Sequence, residues 1–150
     1  MMRLGLTPMN ASLHTTDRLD APSGRLGIVA GHVLTAVTAL FLTFDTVMKV
    51  LGLAPAVEAT TGLGYPASSV VGIGLIQLAC LVLYLVPRTS VLGAILLTGY
   101  LGGAIATHVR VGSPLFTHTL FPIYVGLLLW GGLYLRETRL RDLVPLRRGR

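Results

Sequence analysis

Residues 91–106 read VLGAILLTGYLGGAIA, and in this run only Thr98 and Tyr100 carry polar side chains. A helix of a water-soluble bundle places polar residues every third or fourth position along its outward face. That periodicity is missing here, so the stretch suits a helix with apolar surroundings on every side. Working outward, Leu26–Val50, Ser68–Val86 and Leu120–Leu135 have the same character. Roughly 20 apolar residues cross a hydrocarbon core of about 30 Å, so these three, with Val91–Thr107, give four spans. The expected fold is all-α, an integral membrane antiparallel four-helix bundle.

Composition agrees. Charged residues make up 12% and apolar residues 53% of the 150, and mean hydropathy is +0.75, whereas an average soluble domain is about 25% charged. The net charge of +6 does not point to nucleic acid, because the basic residues gather at the chain ends rather than over a folded surface. Ten of the 12 Lys and Arg residues lie in the two tails or in the Pro87–Ser90 turn, leaving only Lys49 and Arg110 for the other connections. Short loops rich in Lys and Arg stay cytoplasmic, so both termini are expected there, in a multi-pass membrane protein. This divides the chain into a flexible cytoplasmic tail (1–24), a transmembrane domain (25–136) and a basic cytoplasmic tail (137–150). The first tail shows no apolar run of signal-peptide type, and Met9 offers an alternative start.

The connections carry their own expectations. Leu51–Ala67 holds Pro55, Gly62, Gly64 and Pro66, which reads as a semi-ordered external loop, with Tyr65 as an interfacial anchor. Pro87 ends the second span, and the four residues to Ser90 make a tight hairpin, with Thr89 or Ser90 placed to cap the third. The lone Cys80 lies inside the second span and offers neither a disulfide nor a metal cage; close packing between helices is its expected role.

Within the spans, Asp45 and Lys49 stand out, since a charge at the centre of a span costs about 2.5–3.5 kcal/mol on insertion scales. Their i,i+4 spacing puts both on one helix face with the acid N-terminal to the base, the favourable order for an ion pair. Lys49 can also snorkel to the external interface. Two readings stand: a paired, purely structural carboxylate, or one that handles a proton or a polar head group. Counting about 1.5 Å of rise per residue brings Thr107, His108 and Arg110 to the same external end, with Gln77 and Tyr100 nearer mid-membrane as cross-helix hydrogen bonders. Gly99, Gly102, Gly103 and Ala106 form a small-residue face, and GxxxG spacing occurs at Gly27–Gly31 and Gly99–Gly103; contact between helices of the same chain is expected there. His32 falls at the opposite end from His108 and His118, and none has a carboxylate at i,i+3 or i,i+4, which argues against metal and haem.

Phe41–Arg147 resembles the DoxX-like family of small four-span bacterial membrane proteins. The resemblance rests on Lys49-Val50-Leu51, Leu63-Gly64-Tyr65-Pro66, Pro87-Arg88-Thr89, Leu92-Gly93-Ala94, Leu120-Phe121-Pro122 and Leu133-Tyr134-Leu135-Arg136, and above all on the run from Thr98 to Arg110. Relatives commonly carry glutamate where Gln77 stands. The resemblance implies three tasks: a membrane subunit accessory to a quinone-linked or oxidative-stress redox system, an assembly factor or chaperone, or a small lipid- or metabolite-binding carrier. No Cys pair, flavin motif or nucleotide motif supports autonomous redox catalysis, so a redox role would be borrowed from a partner enzyme or a bound quinone. A carrier would show internal repeats and unwound mid-membrane helices, and neither is evident. The reading reached is an accessory membrane protein whose ligand- or partner-binding residues are Asp45, Lys49, Gln77, Tyr100, Thr107, His108 and Arg110. A bound quinone or lipid is its expected cofactor, a redox enzyme and the bilayer its expected partners, and nucleic acid is not among them.

Overall fold

A computed structural model describes residues 25–137 together with 140 and 141. The expected tails, 1–24 and most of 137–150, lie outside the described residues. Among the described residues the helices follow one another as α1 (Arg25–Val50), α2 (Ala54–Gly62), α3 (Ser69–Leu85), α4 (Ser90–Arg110) and α5 (Phe121–Arg136), with a short π-helical turn at Leu115–Thr119 leading into α5. Three segments among the described residues are long and apolar enough to cross a membrane, Arg25–Val50, Ser90–Arg110 and Leu115–Arg136, while α3 is a shorter apolar helix of 17 residues.

The helix α1 turns a largely small and polar stripe inward, α4 and α5 bury Leu97, Leu129 and Leu133 as well, and each of the three leaves other bulky apolar residues outside. On α1 the buried positions are Gly31, Thr35, Thr38, Leu42 and Thr46, spaced by three and four as one helical face requires. Leu40, Phe44, Ile76 and Leu127 are all more than 60% exposed. In water such a surface would drive association; in a bilayer it faces hydrocarbon of its own kind. Two of the buried α1 hydroxyls are satisfied without leaving their own helix, Thr35 donating to Gly31 O at 2.9 Å and Thr38 to Leu34 O at 2.8 Å, whereas Thr46 Oγ1 has no partner among the described residues.

Glycine sets the helix crossings. The helices α1 and α4 each pack on both α3 and α5, and three of these contacts bring backbone onto backbone. A Cβ at Gly31 would lie 2.9 Å from Arg136 N of α5, one at Gly74 would lie 2.8 Å from Lys49 Cβ of α1, and one at Gly93 would lie 2.2 Å from Tyr84 N of α3. The Gly31 half of the first GxxxG pair therefore makes the expected contact within the chain. The second pair does not: a Cβ at Gly99, Gly102 or Gly103 would meet nothing within 4 Å. That face of α4 is open because part of it borders a cavity.

Two local expectations are corrected. Part of the 51–67 connection is helical, because Pro55 falls in the first turn of α2, where its missing N–H costs nothing and its fixed φ suits the helix. The helix ends at Gly62, and Gly64, at φ +85°, turns the chain back. At the hairpin neither Thr89 nor Ser90 caps α4 by side chain; Thr89 Oγ1 instead donates to Leu83 O at 2.8 Å, satisfying a carbonyl near the end of α3 that the helix leaves unpaired. Cys80 is a buried member of the core.

Candidate functional site

Where α1, α3 and α4 meet, four polar side chains close a single hydrogen-bonded network. Asp45 and Lys49 project from one face of α1 and form the ion pair that their spacing predicts. The close approach at Gly74 brings α3 against Lys49, and one turn further Gln77 enters the network, fully buried. Gln77 Nε2 donates to Asp45 Oδ2 at 2.8 Å and to Leu42 O at 3.4 Å. From α4, Tyr100 donates its hydroxyl hydrogen to Gln77 Oε1 at 2.8 Å. Lys49 Nζ donates to Asp45 Oδ2, to Gln77 Oε1 at 3.2 Å and to the Tyr100 oxygen at 3.0 Å.

The network is electrically neutral and its donors are complete. Lys49 has three N–H donors, the Gln77 amide two and Tyr100 one, and six hydrogen bonds use them all. A polar cluster in an apolar setting is stable on these terms, since an unpaired buried donor there carries its full desolvation cost.

Lys49 and Tyr100 also form the floor of a cavity of about 350 Å³ whose walls come from α2, α3, α4 and the 63–65 segment. Ile73, Ile76, Leu63, Gly99, Gly103 and Ala104 make most of it apolar, while Thr60, Tyr65, Thr107 and His108 add polar groups toward the Arg110 end of α4. Gly99 and Gly103 leave volume that any other residue would fill.

The 63–65 segment is tied down over this space. Tyr65 hydroxyl bonds Thr107 Oγ1 at 3.0 Å, and Arg110 Nη2 donates to Leu63 O at 2.8 Å with its guanidinium 5.9 Å from the centre of the Tyr65 ring. We expect Arg110→Ala to speed hydrogen exchange in residues 62–65 while amides of α1, α3, α4 and α5 keep their protection; unchanged exchange there would remove this tether.

Of the seven residues singled out from sequence, Asp45, Lys49, Gln77 and Tyr100 form the network, Thr107 and His108 line the cavity beyond it, and Arg110 stands outside the lining as the tether. His108 faces Ser113 Oγ at 3.0 Å through Nδ1, with the His118 ring 5.8 Å away. His32 is engaged separately, its Nδ1 2.8 Å from Ile28 O. Among the described residues no group of three or more His, Cys, Asp or Glu comes together as a metal site. Tyr65, read from sequence as an interfacial anchor, is a cavity residue; its partnership with Thr107 follows from the turn at Gly64, which no periodicity announces. Thr60 was hidden in the same way, inside a segment read as loop.

Residues 33–132, two thirds of the chain, match the DoxX-like family. No curated protein and no solved structure matches the chain.

Proposed function

The chain belongs to the DoxX-like family, and from that premise we propose that it is an accessory subunit of a quinone-linked or oxidative-stress redox system, holding a small membrane-dissolved amphiphile in the cavity above Lys49 and Tyr100. In this reading α1, α3, α4 and α5 are the four spans of an antiparallel bundle in the bacterial inner membrane. Both termini are cytoplasmic, and α2 and the cavity lie toward the outer leaflet. Cysteine labelling at each end of the chain is expected to report both termini on the cytoplasmic side; opposite sides would overturn the topology.

The observation that carries the proposal is the cavity itself. About 350 Å³ lies within the usual range for small-molecule sites, about 300–1,000 Å³, and such sites combine apolar walls with a few placed polar groups. The α3–α4 side is bordered by Ile76, 61% exposed, and by the exposed Gly99 and Gly103, so a ligand dissolved in the bilayer has lateral access. The Tyr100 oxygen meets its polar end, and the neutral network beneath, Lys49 included, holds Tyr100 in place.

Pull-down from native membranes, with native mass spectrometry and an absorbance scan of the purified protein, tests both parts. We expect a redox enzyme among the partners and a retained quinone or lipid. A protein that reproducibly emerges alone and empty would refute the proposal. Gly103→Leu, which places a side chain in open space inside the cavity, is expected to leave folding intact, with wild-type levels in the membrane, and to abolish ligand retention.

A further inference from the structure

The hydrogens of the cavity hydroxyls are already committed. Tyr100 donates to Gln77 Oε1. Thr107 Oγ1 donates to Gly103 O at 2.9 Å, so in its bond with Tyr65 the threonine oxygen accepts and the tyrosine donates. Thr60 Oγ1 donates to Ala56 O at 2.7 Å. All three hydrogens of Lys49 go to Asp45, Gln77 and Tyr100. Four hydroxyl oxygens thus border the cavity with acceptor lone pairs left over and no hydrogen to give. His108 is the one other polar side chain in the lining: its Nδ1 is engaged by Ser113, and its Nε2 serves as either donor or acceptor.

From this we propose that the cavity selects a neutral hydrogen-bond donor: an apolar molecule bearing a hydroxyl, such as a hydroquinone, a phenol or a fatty alcohol, in preference to its carbonyl or ether counterpart. The inference rests on the cavity being a binding site, as proposed above. A carbonyl or ether oxygen arriving at Tyr100 meets an oxygen whose hydrogen belongs to Gln77, and it gains a bond only by breaking the network. An anion would have to draw Lys49 away from Asp45. A cation would face the Lys49 ammonium. A hydroxyl donates into a free lone pair of Tyr100, Tyr65, Thr107 or Thr60 with the network intact. For a quinone carrier, the form held is therefore the reduced one.

Three probes of similar length separate the outcomes in protein reconstituted into nanodiscs: 4-decylphenol, its methyl ether 4-decylanisole, and 1-dodecanol. Native mass spectrometry reads occupancy, and the Gly103→Leu and Gly99→Leu proteins, with the cavity filled, supply the background from partition into lipid. We expect saturable 4-decylphenol binding above that background at about tenfold lower concentration than the ether, the worth of one good hydrogen bond. Dodecanol equal to the phenol would support the donor assignment with an aliphatic alcohol as the source, and dodecanol weaker than the phenol but tighter than the ether would support it with an aromatic one. Equal excess binding of phenol and ether would overturn the donor assignment while leaving the cavity as a site. No saturable excess for any probe would overturn the assignment and the binding site together.

Discussion

Gly93→Ala is expected to destabilise the protein by about 3 kcal/mol or more, at and beyond the upper end of ordinary overpacking, and to remove most of it from the membrane fraction. The added methyl would sit 2.2 Å from Tyr84 N, 2.5 Å from Tyr84 Cα and 2.6 Å from Leu83 C. These are backbone atoms of α3, so no rotamer change makes room and the two helices must part. Tyr84 is fully buried and its hydroxyl donates to Leu129 O of α5 at 3.1 Å, so a shift of α3 also disturbs that contact. Gly102→Ala is the matched control. Nothing lies within 4 Å of its new Cβ, and helix propensity alone predicts a gain of up to about 1 kcal/mol. Membrane-fraction yield and unfolding midpoint in detergent measure both variants; a Gly93→Ala protein indistinguishable from wild type would show that α3 and α4 do not cross this closely.

The contrast between these glycines shows what the sequence could and could not disclose. Hydropathy placed α1, α3, α4 and α5 within a few residues of their ends, because lipid imposes one chemistry along the whole exposed face of a span. The small residues of α4 announce a capacity for close approach, but which face meets a neighbour depends on how the helices rotate about their axes. So the expected contact appears at Gly31, while Gly99 and Gly103 border empty space. Pro55 and Gly62 were read as breakers, yet their positions at the start and end of α2 make them helix boundaries. The Asp45–Lys49 pair was legible from i,i+4 spacing, and Gln77 and Tyr100 from depth. The Tyr65–Thr107 contact was not, because it needs the 63–65 segment to fold back onto α4.

The network also supports the second large effect: Lys49→Met is expected to cost about 3–5 kcal/mol, the usual penalty for stripping one partner from a buried pair. The 35% exposure of the Asp45 side chain puts the value at the lower end of that range. Without the ammonium, Asp45 keeps one donor from the network, Gln77 Nε2, and the carboxylate lies one helical turn, about 6 Å, deeper than Lys49, with a side chain too short to snorkel. Asp45→Asn is expected to be milder, about 1–3 kcal/mol, because the ammonium still donates to Gln77 and Tyr100 and its long stem can carry it to the interface. Removing both charges in Asp45→Asn/Lys49→Met leaves no uncompensated ion, so the double variant is expected to be more stable than Lys49→Met alone, a coupling that independent sites would not show. Yield and detergent unfolding midpoint of the three proteins decide the matter. Simple additivity would mean that the two residues are neighbours without being partners, and that the cavity floor stands without the charge pair beneath it.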